Sequence, residues 1–308
     1  MPYLLYYLIL KPLSLLPLSV TYYLSDFIFW VLYRITGYRK EVVYDNLRGS
    51  FPDWSEAEVN ETMEQFYRFF CDSIIESIRL FSMSEEETIR RCRVTNPELL
   101  AEHAAAGRSV LLLGGHYANW EIAALSFYKQ LLPHVTMGVY SPLKNETMDR
   151  LIMGNRARYG TQLVSRRAVQ EYFDNQPDGI QADFFVGDQS PSNAAYYKLH
   201  WTPFLNRLSG FVMGGERFSV RYDRPAYYMR LRRIGRGMQE ATLVPITDHP
   251  RETEPGFITE AYVRELEREI QLAPEFWLWT HRRWKRGVPE EVPPLMKGKD
   301  YLTGDYDR

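Results

Sequence analysis

An alternation of strand-like and helical runs between residues 109 and 186 constrains the fold of this chain most strongly. The apolar, strand-like runs are residues 109–114, 135–140, 162–165 and 180–186. Runs with helical spacing lie between them at residues 119–132, 145–158 and 166–175. Such alternation is typical of parallel strands joined by right-handed crossover helices. We therefore expect an α/β fold with a mostly parallel sheet flanked by helices.

Additional elements are predicted outside this region. Ser55 is followed three positions later by Glu58, as in a capping box, and an apolar stripe then continues to residue 80, which predicts a long helix over 55–80. We also expect strands at 227–234 and 241–246 and a helix at 259–271.

The first strand-like run is followed by a histidine and a carboxylate five positions apart, His116 and Glu121. Asn119 is predicted to cap the next helix, which places Glu121 in its first turn. Five helical residues turn through about 500°, so His116 must lie in the preceding loop to face Glu121. We expect the carboxylate to hold the imidazole in one tautomer, as a base that activates a hydroxyl.

Further polar residues follow the strand-like run at 180–186. Asp188 and Gln189 come directly after it, and ligands of such sheets bind beyond the carboxyl ends of the strands. We expect Asp188 to position the substrate or His116. Arg156 and Arg158 lie near the end of a predicted helix, where they either complement the helix dipole or bind an anionic head group.

The N-terminal segment, residues 1–35, is predicted to anchor the chain to a membrane. It is rich in Leu, Tyr, Phe and Trp, and it lacks the basic start and cleavage site of a signal peptide. Pro12 and Pro17 interrupt it, so the anchor is either a single membrane span or a helix that lies in the membrane interface. The alternative to an anchor is an amphipathic helix that completes a soluble core. Arg34, Arg39 and Lys40 follow, which favours a cytoplasmic main domain.

The overall composition excludes several classes of protein. A net charge of -2 over 308 residues argues against a general nucleic-acid binder. The two cysteines, Cys71 and Cys92, lack metal-ligand spacing, so neither a disulfide framework nor a zinc site is expected. No glycine-rich nucleotide motif is apparent in the sequence, and we expect no cofactor.

Several short blocks, in a shared order, resemble the lysophospholipid acyltransferase superfamily, and most of all its branch of late lipid A acyltransferases. The superfamily's signature is a histidine followed five positions later by an acidic residue, here His116 and Glu121. The other blocks are Asn46-Leu47, Phe51-Pro52, Arg156 and Arg158 before Gly160, Asp188-Gln189, Pro274-Glu275, and the run from Trp279 to Lys285.

This resemblance implies transfer of a fatty acyl group from an acyl carrier protein thioester to a lipid hydroxyl, at the cytoplasmic face of a bacterial inner membrane. His116 would take the hydroxyl proton, and Glu121 would orient the imidazole of His116. The tentative oxyanion donors are backbone amides at Gly114, Gly115 or the helix start. The substrate-binding candidates for an anionic glycolipid are Asn119, Arg156, Arg158, Asp188 and Gln189.

The predicted organisation is an anchor at 1–35, a catalytic domain at 36–288 and a tail at 289–308. The acceptor stays open between a lipid A precursor and another membrane lipid, such as a phosphatidylinositol mannoside or an aminolipid, and the donor between acyl carrier protein and coenzyme A. Two rival hypotheses are a metal-dependent hydrolase with His116, Glu121 and Asp188 as ligands, and a catalytically inactive scaffold. An arginine-rich region, residues 207–236, is a candidate surface for acidic partners.

Overall fold

The computed structural model of the chain describes residues 2–175, 178–191 and 194–292. Within these residues, nine strands form a seven-stranded sheet with the order β1-β9-β8-β2-β5-β3-β4 and a two-stranded sheet of β6 and β7. The strands are β1 Cys92–Val94, β2 Val110–Gly114, β3 Val135–Tyr140, β4 Gln162–Ser165, β5 Gln181–Val186, β6 Leu199–Phe204, β7 Arg207–Val212, β8 Ala226–Gly235 and β9 Met238–Thr247.

All neighbouring strands of the large sheet are parallel except β8 and β9, which form an antiparallel pair. Its central strand, β2, is buried along its whole length, as expected for a strand covered by helices on both faces. The predicted α/β fold with a mostly parallel, helix-flanked sheet is confirmed.

The helices surround this sheet, and those predicted at 55–80, 119–132, 145–158, 166–175 and 259–271 begin and end within about three residues of their predicted bounds. They are α1 Pro2–Leu5, α2 Lys11–Leu15, α3 Leu18–Phe29, α4 Lys40–Ser50, α5 Glu56–Arg79, α6 Glu85–Arg91, α7 Ala101–Ala105, α8 Trp120–Gln130, α9 Glu146–Ala157, α10 Val169–Asp174, α11 Gly214–Tyr222 and α12 Phe257–Leu272. The predicted cap of α5 is present, because Ser55 and Glu58 form the reciprocal hydrogen bonds of a capping box.

The N-terminal segment is not one continuous helix. Leu16, which precedes Pro17, is extended and separates α2 from α3, as the steric effect of proline on the preceding residue requires. Two π-helical segments, Tyr6–Leu10 and Trp30–Ile35, belong to the same region. Among the described helices, none has both the length and the apolar character that crossing a membrane demands. The prediction of a transmembrane helix, one of two arrangements left open for the anchor, is therefore not supported.

The helix α3 packs against α5 with an unusual distribution of side chains. Its buried face includes the polar residues Thr21 and Ser25, whereas Val20, Tyr23 and Phe27 are exposed. The buried face also carries the apolar Leu18 and Phe29, but a soluble amphipathic helix would bury its other large apolar side chains as well. Large apolar side chains are exposed through the preceding segment as well: Tyr3, Leu4, Leu5, Tyr7, Leu8, Ile9, Leu15 and Leu16.

Candidate active site

His116 lies in the loop between β2 and α8, and its imidazole pairs with Asp188 in the loop after β5. The parallel register of β2 and β5 places Gly114 opposite Val186. His116 and Asp188 each lie two residues beyond that pair, so the register of the sheet brings them together. The Asp188 carboxylate accepts hydrogen bonds from Nδ1 of His116 at 2.7 Å, from its backbone N–H at 2.9 Å and from Nε1 of Trp277 at 2.8 Å.

These contacts determine the protonation of both groups. Burial raises the pKa of Asp188, but the charge of His116 and the three hydrogen bonds outweigh burial and lower that pKa to about 2. Burial lowers the pKa of His116, whereas the charge and hydrogen bond of Asp188 raise it, and the net direction is upward. An ionised carboxylate only accepts hydrogen bonds, so Nδ1 carries the proton and Nε2 of the neutral ring carries a lone pair.

The Nε2 side of the imidazole faces the opening of the site. The His116 side chain is 20% exposed, and its Nε2 lies 3.1 Å from Nε2 of Gln189. The ring of Trp120 contacts the imidazole edge to face, with 5.0 Å between ring centroids. The next residue of the loop, Ser190, donates its backbone N–H to Nε2 of His281 at 3.0 Å. The lone pair that a base requires is therefore the accessible one.

Glu121 occupies a different position from the one expected. In the structure the Nδ1 hydrogen bond of His116 goes to Asp188, and Glu121 instead forms a two-pronged pair with Arg156. Nε of Arg156 donates to Oε2 of Glu121 at 2.8 Å, and a terminal guanidinium nitrogen donates to Oε1. The physical reason is the sheet register, which fixes Asp188 directly beside the imidazole. The negative charge of Glu121 still contributes to raising the pKa of His116, so the pair lies within electrostatic range.

The loop amides that could bind an oxyanion are mostly engaged. The N–H of His116 donates to Asp188, that of Ala118 to the Phe276 carbonyl, and that of Asn119 to Oε1 of Gln239. The helix start at Asn119 was one of the expected donors, and its amide is not free. The backbone amides of Gly114 and Gly115 stay candidate donors to the oxyanion. Both are closely packed, because a Cβ at Gly115 would lie 2.6 Å from Leu266 and one at Gly114 would lie 2.7 Å from Phe184.

Two predicted substrate ligands are used within the protein itself. Asn119 is buried, accepts from the Ile122 amide as the cap of α8, and donates to Oε2 of Glu76 at 2.8 Å. Arg158 donates to the carbonyls of Leu80 and Met83 at the end of α5. The polar groups of Asn119 and Arg158 are therefore engaged within the protein, and Arg156, Asp188 and Gln189 stay candidate site residues.

Several supporting residues were not singled out from the sequence as parts of the site. Trp277 lies outside the blocks that carried the family resemblance, and His281 was named only within the run from Trp279 to Lys285. Glu76 is a fully buried carboxylate in the last turn of α5, and only its position in an amphipathic helix was visible. The sequence signal for each was weak, since none lies next to His116 along the chain.

Most arginines of residues 207–236, the candidate surface for acidic partners, form ion pairs within the protein. Four of them have one acidic partner each: Arg221 with Asp174, Arg224 with Asp183, Arg230 with Glu265, and Arg232 with Glu240. Two have two partners each: Arg233 pairs with Asp72 and Glu76, and Arg236 pairs with Asp26 and Asp72. The region therefore contributes internal ion pairs and carries much less unpaired charge than its sequence suggested.

The ligand set proposed for a metal-dependent hydrolase is also not assembled. Within residues 2–175, 178–191 and 194–292, no three His, Cys, Asp or Glu side chains are grouped as a metal ion would require. Glu121, one of the three expected ligands, is instead held by Arg156.

The fold and the His116–Asp188 pair define an α/β enzyme whose imidazole can accept a proton from a hydroxyl. The sequence model of the family described as bacterial lipid A biosynthesis acyltransferase matches residues 2–286. Because this match covers nearly the whole chain, the protein belongs to that family and is an O-acyltransferase.

Curated relatives agree with this assignment. The chain is 25% identical over 291 residues to the lipid A biosynthesis lauroyltransferase of Escherichia coli K12, covering 90% of this chain and 89% of the relative. It is 23% identical to the lipid A biosynthesis palmitoleoyltransferase of the same organism, covering 80% and 79% respectively. The lipid A biosynthesis acyltransferase of Haemophilus influenzae is also 23% identical, over 83% of this chain and 81% of the relative.

Proposed function

We propose that this protein transfers a fatty acyl group from an acyl carrier protein thioester to a hydroxyl of a lipid A precursor, at the cytoplasmic surface of the bacterial inner membrane. The observation that carries the chemistry is the Asp188–His116 pair, in which the exposed Nε2 is the proton acceptor. Membership of the lipid A acyltransferase family supports the acceptor. The carrier-protein donor rests on the family resemblance.

The reaction needs no covalent enzyme intermediate. Nε2 of His116 takes the proton of the acceptor hydroxyl while the hydroxyl oxygen attacks the carbonyl carbon of the thioester. The π electron pair of the carbonyl moves onto the carbonyl oxygen, which becomes the oxyanion. Asp188 stabilises the imidazolium that forms. The tetrahedral intermediate then collapses, the carbon–sulfur bond breaks, and the thiolate receives the proton from Nε2. The products are the ester and the free thiol.

Arg156 is the cation that we assign to the acceptor's anionic head group. Its side chain is 28% exposed and is fixed by two hydrogen bonds to Glu121 at the start of α8. Guanidinium has five N–H donors, so donors remain for a phosphate oxygen after Glu121 is satisfied. In this proposal Glu121 positions Arg156 and adds negative charge near His116, which favours the protonated ring formed during the reaction.

The exposed apolar side chains of helix α3 and of the segment before it favour contact with lipid. Tyr7 and Leu8 are 60% and 69% exposed, and Trp30 and Tyr38 are also exposed. Contiguous exposed apolar surface of this kind marks a membrane or protein contact. Because no described helix can cross a membrane, we propose that the segment lies in the interface, with Arg39 at its end beside anionic head groups.

The test is acyl transfer by the purified protein, followed by lipid mass spectrometry. Separate reactions contain a saturated acyl thioester of acyl carrier protein or of coenzyme A, and a lipid A precursor, a phosphatidylinositol mannoside or an aminolipid as acceptor. We expect the lipid A precursor to gain the mass of one acyl group with the carrier-protein donor. Acylation of another lipid but not of the lipid A precursor would contradict the proposed acceptor. Acylation with the coenzyme A thioester but not with the carrier-protein thioester would contradict the proposed donor.

A further inference from the structure

Gln189 contacts the one atom of the site that must meet the acceptor hydroxyl. Its Nε2 lies 3.1 Å from Nε2 of His116. Since Asp188 fixes the proton on Nδ1, the ring offers a lone pair at Nε2, and an amide N–H is the group that satisfies it. A substrate hydroxyl needs that same lone pair, so the carboxamide and the hydroxyl cannot both occupy it.

We infer, on the basis of the proposed acyl transfer, that Gln189 donates to His116 in the free enzyme, is displaced by the acceptor hydroxyl, and then donates its N–H to the oxyanion of the tetrahedral intermediate. Gln189 is thus a catalytic residue of the transfer step, beyond its general assignment to substrate binding.

The loop around Gln189 permits a side-chain rotation without a backbone movement. The N–H of Ser190 donates to His281 at 3.0 Å, and Arg286 donates to the Pro191 carbonyl at 2.6 Å, which fixes the main chain after Gln189. On the other side, Asp188 is buried and held by three hydrogen bonds. The Gln189 side chain itself is exposed, so few contacts oppose its rotation.

The position also suits an oxyanion donor. The attacking oxygen sits at Nε2 of His116, and the reacting carbon must approach that oxygen to about 3 Å. A carboxamide just displaced from Nε2 is therefore within one side-chain rotation of the carbonyl oxygen. The nearby amides of His116, Ala118 and Asn119 are already bound to protein acceptors, so a side-chain donor is needed more here than in a loop with free amides.

The titratable groups that couple electrostatically to His116 come from four elements. Asp188 follows β5, Glu121 belongs to α8, Arg156 to α9 and His281 to the C-terminal segment. Gln189 is the uncharged donor that adds a hydrogen bond to the lone pair of the neutral ring. Such a bond favours the neutral ring, so its loss raises the pKa of His116.

Steady-state kinetics with the acyl thioester and the lipid acceptor test this inference. Gln189→Ala removes the donor, Gln189→Glu keeps the size and removes the N–H groups, and Gln271→Ala is the control at another exposed glutamine, on α12. We expect both Gln189 variants to lose about 10²-fold or more in kcat, with the acceptor KM changed less than about threefold. The acid limb of kcat/KM should move to higher pH in both variants. The control should match wild type.

The outcomes separate this inference from the proposed function. If wild type acylates no lipid, the proposed function fails. If wild type is active and Gln189→Ala keeps kcat within about threefold, or loses only acceptor affinity, the catalytic role of Gln189 is refuted while the proposed function stands. An unchanged thermal midpoint shows that the loss is not caused by unfolding, and Gln189→Glu provides a second variant if alanine disturbs the loop.

Discussion

Asp188 binds His116 twice, with Oδ2 accepting the backbone N–H at 2.9 Å and Oδ1 accepting Nδ1 at 2.7 Å. One carboxylate thus fixes both the loop that carries the imidazole and the orientation of the ring. Since β2 and β5 are paired in register, the contact is a direct product of the sheet. The pair is therefore rigid before any substrate arrives, as effective general-base catalysis requires.

Replacing Asp188 by asparagine should remove the charge while keeping the shape. The amide can no longer enforce a proton on Nδ1, so we expect kcat to fall by about 10⁴-fold, as for comparable carboxylates beside catalytic histidines. Stopped transfer reactions analysed by mass spectrometry measure the loss. A fall of less than about tenfold would show that Asp188 does not orient the base.

The same substitution should shift the pH dependence of the residual activity. Asp188 raises the pKa of His116, and only the neutral ring accepts a proton, so the acid limb of wild-type kcat/KM should lie above the ordinary histidine value of about 6.5. Without the carboxylate charge that pKa falls, and the acid limb moves to lower pH. If the acid limb of kcat/KM lies at the same pH in Asp188→Asn as in wild type, the limb reports the pKa of a group other than His116.

Substitution of Arg156 by lysine should separate charge from geometry. Lysine keeps the positive charge and loses the fork that Glu121 holds, so we expect kcat/KM for a phosphorylated acceptor to fall by about 10- to 100-fold. Arg150→Lys, an exposed change on the same helix α9, is the matched control and should leave kcat/KM unchanged. Equal effects of the two substitutions would contradict a specific role of Arg156.

Glu76 should contribute far more to stability than other acids of α5. It is fully buried and accepts hydrogen bonds from Tyr22 on α3, Asn119 at the site and Arg233 on β8. Glu76→Ala removes the carboxylate that accepts these hydrogen bonds. We therefore expect the free energy of unfolding to fall by about 3 kcal/mol. Denaturant unfolding measures this value.

The control for Glu76 is a surface acid on the same helix. Glu64 pairs with Arg34 and Arg68 at partly exposed positions, so Glu64→Ala should cost less than about 1 kcal/mol. Similar losses for the two variants would mean that the buried contacts of Glu76 add nothing to stability.

The N-terminal apolar surface should be required for binding to lipid vesicles. Leu8 is 69% exposed, and an aspartate there opposes burial in the interface, so Leu8→Asp should reduce co-sedimentation with anionic vesicles about tenfold or more. Leu272→Asp is the control, because Leu272 is 80% exposed at the end of α12. If both variants bind as wild type does, the N-terminal surface is not a lipid contact.

Local sequence patterns were sufficient for the sheet and for the position of His116. Apolar runs bounded by turn residues predicted β2, β3, β4 and β5 to within about one residue, because each strand is short and is separated from the next by a helix. The β6–β7 hairpin was missed. Its turn places Leu205 and Asn206 at positive φ, and leucine gives no signal for such a turn, unlike the usual Asn-Gly.

Sequence reasoning left Asp188 with two possible roles, positioning the substrate or positioning His116, and expected Glu121 to orient the imidazole. Spacing along the chain pointed to Glu121, whereas the structure supplies Asp188 from 72 residues away. Knowing that β2 and β5 are adjacent and in register would have identified Asp188, but strand order is a tertiary property. The pairing of Glu121 with Arg156 was hidden for the same reason, since α8 and α9 meet only in the folded protein.

The most direct test of the account is single-turnover acyl transfer by His116→Gln compared with wild type. Glutamine keeps a polar side chain in the loop and cannot accept the hydroxyl proton as a base. We predict a loss of at least about 10⁴-fold in the transfer rate, with unchanged circular dichroism and an unchanged thermal midpoint. Transfer by folded His116→Gln within about tenfold of the wild-type rate would contradict the central claim that His116 activates the acceptor hydroxyl.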